Sequence, residues 1–104
     1  MGEANFSDMA AGKKALVLHP RDNVGVALSD IEAGESVLVT ESDGRQYEFT
    51  VAEAVSFGHK FALSALEAES PVRKYGEEIG RLSAPVSPGG WIHVHNMYCD
   101  RGMK

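Results

Sequence analysis

Ala27-Leu28-Ser29-Asp30-Ile31-Glu32-Ala33-Gly34-Glu35-Ser36-Val37 repeats without gaps as Ala62-Leu63-Ser64-Ala65-Leu66-Glu67-Ala68-Glu69-Ser70-Pro71-Val72, and six of the eleven positions are identical. Ile31 against Leu66 is one further equivalent pair. A shorter copy, Val86-Ser87-Pro88-Gly89-Gly90-Trp91-Ile92, keeps the rhythm of an apolar residue, a turn residue three later and a β-branched residue three after that. Recurrence of this kind marks one structural unit used more than once. The unit reads as a strand end, a tight turn and a new strand, with Gly supplying positive φ where a side chain would clash. Glu69 stands where the first copy has Gly34, so that turn either takes another geometry or strains Glu69. Pro71 has no N–H to give a ladder and marks a strand entrance or an edge.

The flanking segments extend the same picture. Ala15-Leu16-Val17-Leu18-His19 is short, apolar and closed by Pro20, the profile of a strand buried on both faces, and Arg21-Asp22-Asn23 reads as the turn after it. Asp43-Gly44 between Ser36–Thr40 and Gln46–Val51 predicts a hairpin, with Tyr47, Phe49 and Val51 on one core face. Gly76 and Gly80 predict bends or bulges between Val72 and Ser83. The helical candidate is a short segment within Val51 to Leu66, interrupted at Phe57-Gly58-His59. Trp91 to Asn96 alternates as a last strand, placing Ile92 and Val94 on one face and Trp91, His93 and His95 on the other. The expected fold is therefore all-β, built of hairpins with repeated tight turns and at most a short helix. Residues 1–14 read as a lead-in and residues 15–104 as a single domain.

Composition narrows the function classes. With 104 residues, 10 Lys plus Arg against 15 Asp plus Glu and a net charge of −5, the chain closes one modest core. A net-negative chain argues against a protein that tracks nucleic-acid phosphates. No run is long enough to span a bilayer, and the single Cys99 has no partner for an internal disulfide. A cytoplasmic setting is the expectation.

Chemistry-bearing side chains gather at four places. His93 and His95, two apart on a strand, would have Cβ atoms roughly 6.5–7 Å apart on one face. That spacing suits either a solvated surface pair or two ligands of one metal, which would still need a third and usually a fourth group. Gly58-His59-Lys60 sets a residue that titrates near neutrality beside a fixed cation, an arrangement useful for an anionic substrate and equally compatible with a polar loop. His19 closes an apolar strand as a core-edge residue or a site lip. Lys74-Tyr75-Gly76-Glu77-Glu78-Ile79-Gly80 puts a cation, a phenol and two carboxylates around glycine bends, with Ile79 read as core.

In that order, His19-Pro20-Arg21-Asp22-Asn23-Val24-Gly25-Val26-Ala27-Leu28, Gly58-His59-Lys60-Phe61-Ala62-Leu63, Lys74-Tyr75-Gly76-Glu77-Glu78-Ile79-Gly80 and His93-Val94-His95-Asn96 carry a resemblance. The chain resembles the small SAF-type domain of the altronate dehydratase and galactarate dehydratase family, which includes small subunits such as that of sulfolactate sulfo-lyase. The resemblance implies a β-clip fold. It also implies the small subunit of a lyase that removes water from a sugar acid, or sulfite in the sulfolactate branch, with a separate large catalytic subunit as partner. A divalent metal, iron(II) in the first instance, is implied as cofactor and is held mainly by that large subunit. The resemblance carries over His59, Lys60 and His95 as catalytic, His19, Tyr75 and Asn96 as substrate-binding, and His93 with His95 as metal-facing. A non-catalytic sugar-acid-binding or assembly module is the competing reading, and association with further copies of itself stays open.

Overall fold

The computed structural model describes residues 12–99. They form nine strands and, among the described residues, no helix: β1 Lys13–Leu16, β2 Val24–Ala27, β3 Ser36–Thr40, β4 Gln46–Thr50, β5 Lys60–Ala62, β6 Pro71–Lys74, β7 Glu77–Leu82, β8 Trp91–Ile92 and β9 Met97–Tyr98. One sheet runs β4-β3-β1-β2-β5-β8, and the other β6-β7-β9. The fold is all-β, as the repeats predict. The proposed lead-in falls outside the described residues up to residue 11, and the first strand takes in Lys13 and Lys14 ahead of the expected Ala15. β1 pairs in parallel with β3 across all four of its residues, from Lys13↔Val37 to Leu16↔Thr40, and those ladder bonds draw the two lysines into the sheet. It is not buried on both faces: Ala15 is fully buried, Lys14 is exposed and Leu16 half-buried.

Four similar turns organise the chain. Backbone bonds of 3.0, 2.9, 3.1 and 2.8 Å close Glu32–Glu35, Ser56–His59, Glu67–Ser70 and Ser87–Gly90. The third residue of each has positive φ: Gly34 at 87°, Gly58 at 84°, Glu69 at 71° and Gly89 at 81°. Glu69 thus keeps the shape of the glycine turns and bears the strain of a left-handed backbone. Ahead of the turns, Ile31 exchanges both backbone bonds with Val55, and Leu66 does the same with Val86. The second turn is a further copy, Val55-Ser56-Phe57-Gly58-His59-Lys60-Phe61, and it occupies the segment expected to hold a short helix.

The buried side chains fall into two clusters. Ala15, Val17, Ala27, Ile31, Val37, Val39, Val51, Val55 and Phe61 make one, with Tyr47 and Phe49 packed on it as the hairpin alternation predicts. Val24, Ala62, Val72, Leu82, Val86 and Ile92 make the other. Neighbouring residues of a strand point to opposite faces, so Phe61 enters the first core and Ala62 the second. The central β2–β5 pair is therefore shared by both. Gly25 is required there: a Cβ at that position would lie 2.8 Å from Phe61 Cζ.

The loop before β2 ties the second sheet to the first. Asp22 accepts from the backbone N–H groups of Tyr75 (3.0 Å) and Gly76 (2.7 Å) in the β6–β7 turn. Asn23 accepts from Arg73 N–H and donates to Pro71 C=O, each at 2.9 Å, as a strand neighbour would. Both Tyr75 (φ 58°) and Gly76 (φ 78°) are left-handed, so Gly76 belongs to a tight hairpin turn, and the one register shift in this hairpin falls at Val72/Arg73.

The glycine turns differ in their room for a side chain. A Cβ on Gly34 meets nothing within 4 Å, whereas one on Gly89 would sit 2.6 Å from Ala52 N and 2.8 Å from Thr50 O. Gly34→Ala is expected to cost about 1–2 kcal/mol, the left-handed penalty alone. Gly89→Ala adds a backbone clash and should cost about 3 kcal/mol or more. Urea denaturation of both variants checks the order, and equal losses would contradict this account.

Candidate functional site

β5 and β8 pair antiparallel through Lys60↔Ile92 and Phe61↔Trp91. That register brings the turn before β5 against the turn after β8. The expected last strand stops at Ile92: His93 to Asn96 forms a turn closed by Asn96 N–H on His93 C=O at 3.0 Å. The Asn96 amide bends the chain here, accepting from His93 N–H and donating to Trp91 C=O, each at 2.9 Å. His93 and His95 therefore do not share one face of a strand, and Val94, expected on the same face as Ile92, is 79% exposed where Ile92 is fully buried.

The turn still gathers the imidazoles, around Trp91. Its Nε1–H donates to His59 Nδ1 at 3.1 Å, and the two ring planes are 16° apart. A hydrogen bond between ring edges with planes that close makes one nearly flat plate. His93 stacks 4.6 Å from His59 and 5.3 Å from Trp91, and His95 lies tilted 4.7 Å from Trp91. Glu53 supports the plate from behind, accepting from Trp91 backbone N–H at 2.8 Å.

Lys60, next in the chain after His59, is half-buried and acts electrostatically on His93. Burial first, and the charge of Lys74 second, hold its ammonium below the usual lysine range. Among the described residues no carboxylate lies within ion-pair distance of it. His93 is likewise held below the ordinary imidazole value, by desolvation and then by His59, Lys60 and His95. Two ammonium groups, Lys60 and Lys74, thus lie near the three imidazoles on an acidic chain. Such a grouping raises the local potential toward an anion despite the overall charge.

Of the residues singled out from sequence, His59, Lys60, His93 and His95 meet here. Asn96 is present, with both polar atoms of its amide engaged inside its own turn. His19 and Tyr75 lie instead at the β6–β7 turn: the His19 ring covers Gly76, where a Cβ would approach it to 2.9 Å, and Tyr75 is 67% exposed. Among the described residues no contact joins either to the ring stack, although Lys74 beside Tyr75 reaches Lys60 electrostatically. Trp91 is the residue that sequence reasoning missed as a site member. Its placement on the face of the two histidines was the available signal.

The chain matches the family model for the altronate/galactarate dehydratase SAF domain over residues 13–100. It belongs to that family. Curated relatives of this SAF domain include altronate dehydratase of Bacillus subtilis (strain 168), 38% identical over 84 residues, which make up 81% of this chain and 16% of that protein. Altronate dehydratase of Escherichia coli (strain K12) is 38% identical over 79 residues, 76% of this chain and 15% of that protein. The SAF domain thus spans about a sixth of the length of these two relatives. The (2R)-sulfolactate sulfo-lyase subunit alpha of Chromohalobacter salexigens is 36% identical over 89 residues, covering 82% of this chain and 94% of that subunit.

The described residues do not by themselves make up a complete metal site. Among the described residues no three His, Cys, Asp or Glu side chains converge as ligands, and His59 Nδ1 is already taken by Trp91. No described helix is long and apolar enough to cross a membrane.

A half-buried ammonium with no carboxylate partner among the described residues costs stability. Because Lys60 sheds its proton more easily folded than unfolded, that cost is full below its folded pKa and vanishes above the usual lysine value. Lys60→Met should therefore raise the urea midpoint at neutral pH, with the gain shrinking as pH climbs through the lysine range. A gain that does not change with pH would point to packing instead.

Proposed function

We propose that this SAF domain is the small subunit of a carbon–oxygen lyase that dehydrates a sugar acid such as altronate or galactarate, acting with a large dehydratase-like subunit. The observation that carries the reading is Lys60, half-buried, lacking a carboxylate partner among the described residues and flanked by Lys74 and the imidazoles. A substrate carboxylate placed there supplies the missing counterion. Its negative charge offsets the repulsion between the two ammonium groups, so binding energy is gained where folding energy was given up.

The elimination needs a base for the proton next to the carboxylate and an acid for the departing hydroxyl. The C–H pair becomes the new double bond, the C–O bond breaks, and the protonated hydroxyl leaves as water. In this reading Lys60 holds the carboxylate and thereby makes the neighbouring proton more acidic. His59 donates a hydrogen bond to the substrate from Nε2, and His95 presents its ring for proton transfer. A divalent metal, iron(II) in this proposal, belongs mainly to the large subunit, and no step is assigned to a metal on this chain.

The sulfolactate branch is the second reading. It is supported by the 94% coverage of the sulfo-lyase alpha subunit against about a sixth of the altronate dehydratases. There Lys60 and Lys74 would face a sulfonate and a carboxylate, and sulfite would leave in place of water.

Co-expression with the large subunit, followed by assay of aldonates, aldarates and sulfolactate, tests both. Lys60→Met is expected to lower kcat/KM on the accepted substrate by about 10- to 100-fold, the loss of one charge-assisted contact. His93→Ala and His95→Ala should each reduce turnover. If both leave turnover and metal content unchanged, the ring stack is not the site. A large subunit fully active without this chain would leave it as a binding or assembly module.

A further inference from the structure

The plate formed by Trp91 and His59 has a consequence for the chemistry of His59. An indole Nε1–H can only donate, so the His59 Nδ1 it reaches at 3.1 Å must be the unprotonated nitrogen of the ring. A neutral His59 then carries its proton on Nε2. Trp91 is held in place independently: its backbone N–H donates to Glu53, its backbone C=O accepts from Asn96, and its ring packs on the first core and against His93 and His95. The donor is thus fixed from both sides before any substrate arrives.

We infer that Trp91 is a positioning residue: it locks His59 in the Nε2–H form and fixes the ring plane, so that Nε2 is the nitrogen offered to the substrate. The consequence for catalysis rests on the lyase reading above; the lock itself does not. A His59 free to exchange tautomers would present a donor at Nε2 in only part of the population, and the reaction would lose the fraction held the wrong way round.

The lock is read directly by NMR on the chain labelled with nitrogen-15, above the ordinary imidazole range. A scalar coupling between Trp91 Nε1 and His59 Nδ1, with His59 showing a protonated Nε2 and a bare Nδ1, is the expected result. No coupling, or a proton on Nδ1, overturns the inference without recourse to any variant. Trp91→Phe keeps an aromatic ring and removes the donor. It should move the His59 nitrogen shifts toward the averaged positions of an unlocked ring, and unmoved shifts would also overturn the inference. In the complex with the large subunit, Trp91→Phe should lower kcat about threefold to tenfold, the range of one hydrogen bond, with little change in KM. A lock present in the NMR spectra of a complex inactive on every acid tested would refute the lyase reading and leave the assignment of His59 intact.

Discussion

The fold depends on one close approach, that of Phe61 to the backbone at Gly25. β2 and β5 are the strands both cores share, and the Phe61 ring fills the space a side chain at residue 25 would occupy. Because Phe61 is fully buried and Ala62 turns the other way, the seam fixes which face of β5 belongs to which core. Lys60 then has no choice of side. It lies with Ala62, next to the second core, and that is the origin of its partial desolvation.

Structure and proposed chemistry pull in opposite directions at this strand. A chain selected only for stability would place an apolar residue at position 60 or give its ammonium a carboxylate. Here the charged neighbour is a second ammonium, that of Lys74, with the His93 imidazole nearby. Local destabilisation of this kind is the usual mark of a place where something else is meant to bind, since a protein is stabilised elsewhere to tolerate it. The four turns supply that tolerance by fixing the ends of the strands through backbone bonds that owe little to side chains.

Much of this was legible in the sequence, and the failures have physical reasons. The repeat was visible in its first two copies because they retain Ala, Leu, Ser, Glu and Val in place, and in the third because it keeps Gly89. The copy at Val55–Phe61 was hidden because it ends in an aromatic residue rather than a β-branched one. His93 and His95 were read onto a strand by alternation alone, which is blind to an Asn side chain three residues on that folds back to close a turn. His59 and Lys60 were found as a pair, but their neighbourhood is set by the pairing of β5 with β8, a contact between segments some thirty residues apart. Asp22 and Asn23 were read as local turn formers, yet their side chains clamp a hairpin about fifty residues away.

Trp91 is the one tryptophan of the chain. Its indole lies against three imidazoles, so emission excited at wavelengths beyond tyrosine absorption is a signal from this one place. Stacked and hydrogen-bonded imidazoles alter indole emission when an anion settles among them or when a partner surface excludes water from the plate. Occupancy of the site can therefore be followed by light, without a label and without turnover.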